Sequence, residues 1–154
     1  MRVRRTESGL TLVELVVATF IMLVLAGMAV PMARVKIKRE RELELRRALR
    51  EMRTAIDRYK DASDRGLIEV KVDSEGYPES LEVLVEGVQL AGKPDRKVRF
   101  LRRIPLDPMT GRDDWVKRCI KDPPDSRFWC GENLFDVSSS SFGQALDATY
   151  YRDW

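Results

Sequence analysis

Glu14 is the residue of this sequence that most needs a chemical explanation. It is the only charge between Leu10 and Met32, an apolar run that would extend about 34 Å as a helix and can span a bilayer. A carboxylate so placed costs about 2.5–3.5 kcal/mol on insertion into hydrocarbon, so it requires a partner. Immediately before it the chain reads Ser8-Gly9-Leu10-Thr11-Leu12-Val13-Glu14. A cut after Gly9 would create an α-amino group on Leu10. That amine on one helix can neutralise the glutamate of a neighbouring helix inside a bundle.

The remaining chemistry is sparse. There is no histidine, which removes the commonest general base and the usual transition-metal ligand together. No nucleophile elbow, phosphate loop or paired-carboxylate signature is present, so the chain is not expected to be an enzyme. The two cysteines, Cys119 and Cys130, lie close together, and a single local pair in an exported protein is more often a disulfide than a redox or metal site. An internal bond is the expectation, subject to the compartment.

With 154 residues, 44% of them hydrophobic, the chain suits one small globular head. Lys and Arg exceed Asp and Glu by 28 to 25, a surplus too slight to imply nucleic acid, and none is expected as a partner. Arg2, Arg4 and Arg5 precede the apolar run and should stay cytoplasmic, which sends the C-terminal side outward. An ordinary secretory signal is a rival, with Ala26, Gly27 and Ala29 as a possible cleavage site, but its apolar core would be shorter. A plain signal anchor, with a head acting alone as a binding protein, leaves Glu14 unexplained.

Gly9 followed by Leu10-Thr11-Leu12-Val13-Glu14 resembles the prepilin cleavage and methylation motif of the type IV pilin family, which includes the pseudopilins of type II secretion. The resemblance implies cutting after Gly9 and N-methylation of Leu10 by a prepilin peptidase and methyltransferase. It implies filament assembly with related subunits through Leu10 and Glu14, helped by an inner-membrane assembly platform. Pro31 stands where the family usually places a helix-kinking proline, and Leu10 replaces the commoner phenylalanine. Tyr77-Pro78 with Leu81 and Leu84, and the turn Ile104 to Gly111, are similar to segments of the major pseudopilins. A secretion pseudopilus is therefore expected ahead of a pilin for adhesion, motility or DNA uptake. The location implied is a single-pass inner-membrane protein with its head outside the cytoplasm, then a periplasmic or surface filament.

The implied fold is α+β: a long N-terminal helix whose outer half packs on a small antiparallel sheet. Residues 1–9 form the leader, 10–33 the transmembrane and polymerisation helix, 34–62 an amphipathic stalk helix and 63–154 the head. Leu45, Ala48, Leu49, Met52, Ala55, Ile56 and Tyr59 recur at spacings of three and four and predict one buried stripe. Between Arg34 and Arg50, Glu40, Glu42 and Glu44 offer i, i+4 partners on a solvated or subunit-bridging face. Pro31 should kink or locally melt the helix. Strands are expected at Leu67–Val72, Val98–Leu101, Trp115–Val116 and Leu134–Val137, with a short helix over Ser80–Val85. The tail resembles the pseudopilin C-terminus, where a serine- and aspartate-rich loop can hold calcium; Asp136, Ser139, Ser140 and Asp147 would be its oxygen ligands. The competing expectation is a flexible serine loop ending in a Trp154 packed on the sheet.

Overall fold

The computed structural model describes residues 11–71, 74–123, 126 and 128–154, with the side chains of 28–31 and 94 left aside. The expected leader residues, Gly9 and Leu10 lie outside them. Two compact units divide the chain, Met1–Lys38 and Arg39–Trp154.

Helix α1, Leu12–Asp64, runs through both stretches of sequence. Its start is set by Thr11, whose hydroxyl oxygen accepts the Glu14 N–H at 3.3 Å. Thr11-Leu12-Val13-Glu14 therefore places a threonine N-cap three residues before a glutamate, the sequence of a capping box. The helix ends in a Schellman motif: the Gly66 N–H reaches Ser63 O and the Leu67 N–H reaches Ala62 O, both at 2.9 Å. Gly66 makes this possible by adopting φ +63°, a conformation costly for other residues. The helix also continues through Pro31.

In the C-terminal unit the predicted stripe is the core. Leu45, Ala48, Leu49, Met52, Ala55, Ile56 and Tyr59 are all buried, packed in one cluster with Leu81, Leu84, Leu101, Trp115, Leu134, Val137 and Tyr151. Helix α2, Leu81–Glu86, supplies Leu81 and Leu84 to that cluster. It stops at Gly87, where an added Cβ would lie 2.7 Å from the Val98 carbonyl oxygen. This close approach lets the chain enter a hairpin.

The architecture is α+β, and among the described residues its β part is two antiparallel pairs. Strand β1, Val88–Leu90, pairs with β2, Lys93–Val98, across a turn at Ala91-Gly92. Strand β3, Val116–Arg118, pairs with β4, Asp136–Ser138. The strand expected at Leu67–Val72 is reduced to one bridge, Ile68 to Leu90, and Val72 lies outside the described residues. Of Val98–Leu101 only Val98 is in a strand. The N–H groups of Phe100 and Leu101 instead both donate to Leu84 O at 3.0 Å, tying this segment to α2.

Asp107, in the Ile104–Gly111 turn, is fully buried. Its carboxylate accepts the Met109 N–H at 2.8 Å and the Ser139 hydroxyl, joining the turn to the segment after β4. Trp115 seals the same turn by donating to Pro105 O at 2.8 Å.

The Cys119–Cys130 disulfide closes the loop between β3 and β4, with its Cα atoms 6.0 Å apart. Cys119 is buried, while the nearby Phe128 is 86% exposed, so the loop has little apolar support of its own. Replacing both cysteines with alanine should lower stability by about 2–4 kcal/mol, measured by urea unfolding of the full chain in detergent.

Candidate functional site

The N-terminal part of α1 is an apolar helix exposed on all sides. Leu12, Val13, Leu15, Phe20, Met22 and Leu23 each expose more than half of their surface. The segment is long and apolar enough to cross a membrane. Its polar groups are few, and the structure accounts for most of them. The Thr19 hydroxyl donates back to Leu15 O and Val16 O, both at 2.9 Å, which satisfies it inside the helix.

Glu14 is the exception. It lies in the first turn, where a negative charge meets the positive end of the helix dipole. Its main-chain N–H is capped by Thr11, but its carboxylate makes no ion pair among the described residues. The structure thus puts a helix start, a capping threonine and a carboxylate with no ion pair among the described residues within one turn.

Most charged groups of the C-terminal unit that face α1 are matched. Asp136 accepts from Arg53 Nε at 2.7 Å and from Arg118, and its Oδ1 also takes the Val137 N–H. Arg53 further donates to Val137 O and to the Trp154 main-chain oxygen, at 3.0 and 2.7 Å. Arg46 pairs with Asp147 at 3.2 Å and lies over the Trp154 ring, 4.1 Å from its centre. Trp154 therefore packs on Tyr151 and the arginines of α1 rather than on a sheet.

Glu42 was expected on a solvated or subunit-bridging face, and it is buried within its own subunit. Its Oε1 accepts the Leu146 N–H and the Tyr151 hydroxyl, both at 2.9 Å. Glu42, Arg46 and Arg53 recur at intervals of four and seven, one face of the helix, and that spacing was the signal available. Their partners lie about a hundred residues away, and nothing in the sequence names them.

The four residues assigned to calcium do not fit one ion as they stand. Asp136 is already bound by two guanidinium groups, and a cation there would meet both. The Ser139 hydroxyl is committed to buried Asp107. Asp147 accepts the Thr149 hydroxyl and Arg46, and its carboxyl is held below its ordinary pKa, first by Thr149. Ser140 lies beside Asp114, whose pKa is likewise lowered, chiefly by the Thr110 hydroxyl and to a lesser degree by Ser140. Among the described residues the one metal-like cluster is Cys119, Asp122 and Cys130, whose sulfurs are in the disulfide.

An apolar, membrane-length helix with one carboxylate at its start, continued as the core helix of a small α+β unit, is consistent with a pilin-like fold. Residues 4–30 match the family described as the prokaryotic N-terminal methylation motif, which gives the chain a prepilin-like N-terminus of the type IV pilin kind. No curated protein and no solved structure matches the chain.

Burial first, and then its hydrogen bond to Glu42 and the nearby carboxylate charges, raise the Tyr151 pKa from 10.0 to about 12. Because the folded value lies above the unfolded one, the stabilisation is complete below pH 10 and disappears as pH rises through about 12. Tyr151→Phe should cost about 1–3 kcal/mol at neutral pH in urea unfolding and should flatten the alkaline loss of stability.

Proposed function

We propose that this chain is the precursor of a structural subunit of a type IV pilus-like filament, and that the filament is a type II secretion pseudopilus. The prepilin peptidase cuts after Gly9 and the new N-terminal Leu10 is N-methylated. The mature subunit waits as a single-pass inner-membrane protein with its head outside the cytoplasm. An assembly platform in that membrane then adds it to a filament of like and related subunits. The role is structural rather than catalytic.

One observation carries this reading: a methylation motif at residues 4–30 coincides with an apolar helix whose single carboxylate has no ion-pair partner among the described residues. In a filament the partner is the α-amine of Leu10 on the neighbouring subunit. Burying one without the other is costly, so the pair sets the depth at which each incoming helix stops. Repeating one head-to-tail contact without closure generates a helical polymer. The disulfide at Cys119–Cys130 supports an exported head, since such bonds persist in oxidising compartments. The pseudopilus reading rests on the turn at Ile104–Gly111 and on the segment at Tyr77–Leu84, both similar to major pseudopilins.

Glu14→Ala should leave cleavage after Gly9 intact while lowering filament yield at least about ten-fold, because the neighbour's amine is left buried alone. Sheared-filament yield and immunoblots of precursor and mature bands, taken from the same cells, measure the two effects separately. Wild-type filament yield from Glu14→Ala would overturn the registering role of this residue.

A further inference from the structure

Six arginines of the C-terminal unit, among them Arg46, Arg53 and Arg118, pair with aspartates. The other nine have no ion pair or hydrogen bond among the described residues, and five of them, Arg47, Arg50, Arg58, Arg102 and Arg103, are exposed close to one another. These five line one groove. It consists of two adjoining clefts of about 360 and 330 Å³ between α1 and the chain at Phe100–Leu106, and the clefts meet at Glu51. We infer that this groove docks an extended, acidic segment of another protein.

The walls of the groove are fixed. Arg50, Thr54 and Arg58 follow one another at i, i+4 and i+8, so they stand on a single face of α1. Opposite them, Leu101 is buried and Phe100 packs edge-on against Tyr59, with ring centres 5.4 Å apart. The main chain at Phe100 and Leu101 is held by Leu84 O. Arg102 and Arg103 therefore project from a backbone that cannot easily shift. From Arg47 to Arg58 the groove runs about 16 Å along the helix, the length of about five extended residues.

Guanidinium forks recognise carboxylate and phosphate alike, through paired N–H donors. Glu44 and Glu51 decide between the two. Both line the groove, and Glu51 sits where the clefts join. A nucleic-acid strand carries a charge at every step and would set phosphates against Glu51. An extended peptide turns successive side chains to opposite faces, so carboxylates can meet the arginines while a neutral residue passes Glu51. The mixed sign of the groove thus selects a patterned acidic peptide over a uniform polyanion.

The test uses the full chain in detergent and a fluorescent dodecapeptide of alternating glutamate and serine, with oligothymidylate of equal charge for comparison. Binding is followed by anisotropy at low and moderate salt. The triple variant Arg50→Gln, Arg58→Gln, Arg102→Gln should weaken peptide binding about ten-fold at low salt. A control with equal charge loss on β2, Lys93→Gln, Arg96→Gln, Lys97→Gln, should change it by less than about two-fold. Thr54→Glu, which places a carboxylate in mid-groove and leaves every arginine present, should weaken the peptide as well. Oligothymidylate binding weaker than the peptide's agrees with the inference. No peptide binding by the wild type, equal loss in the groove and control variants, or tighter groove-dependent binding of oligothymidylate would each overturn it.

Discussion

A carboxylate on a helix bound for hydrocarbon must find a positive partner or be neutralised, and Glu14 is such a carboxylate. Its own subunit offers it no ion pair among the described residues. The free-energy cost of that situation, about 2.5–3.5 kcal/mol, is too large to persist without use. The partner available by chemistry is an amine at the start of another helix, and a cut after Gly9 makes one at the right place. On the proposed reading, leader, cleavage point, threonine cap and glutamate form one device that turns a membrane anchor into a polymerising end.

The C-terminal unit treats its charges in the opposite way. Glu42, Arg46 and Arg53, on one side of α1, are each engaged by groups from the last twenty residues of the chain. Sequence-distant contacts of this kind fasten the tail to the helix, and the apolar stripe beneath provides the bulk of the burial. The disulfide performs a related task for the loop between β3 and β4, where apolar support is thin. The head is held by one helix stripe, a few long-range polar contacts and one covalent bond, which suits a domain with a small core.

Much of this was legible in the sequence. The long helix and its apolar stripe follow from spacing, although the helix runs to Asp64, past its expected end at residue 62. The paired strands at Val116 and Val137, and the short helix after Pro78, were marked by apolar runs between turn residues. The β1–β2 hairpin was not, because Lys93–Val98 contains a proline and four charges and has no alternation to reveal it. Such a strand is tolerated at a sheet edge, where few of its groups must be buried. Glu42 was equally hidden: in a run of arginines and glutamates, nothing local distinguishes a solvated carboxylate from one that will meet a tyrosine 109 residues later. The serine and aspartate residues read as calcium ligands carried the right chemistry, but the arginines and Asp107 that engage them come from other parts of the chain.

The central claim is that the chain is processed at Gly9 and then built into a filament, and the intact mass of the protein from its native membrane tests it most directly. In cells with the prepilin peptidase the account predicts a mass lacking Met1 to Gly9 and carrying one added methyl group; in cells without the peptidase it predicts the full-length mass. A full-length mass in both strains would make the helix an ordinary signal anchor. A mass truncated beyond Ala29 would make the head a secreted protein, and either result would contradict the filament account.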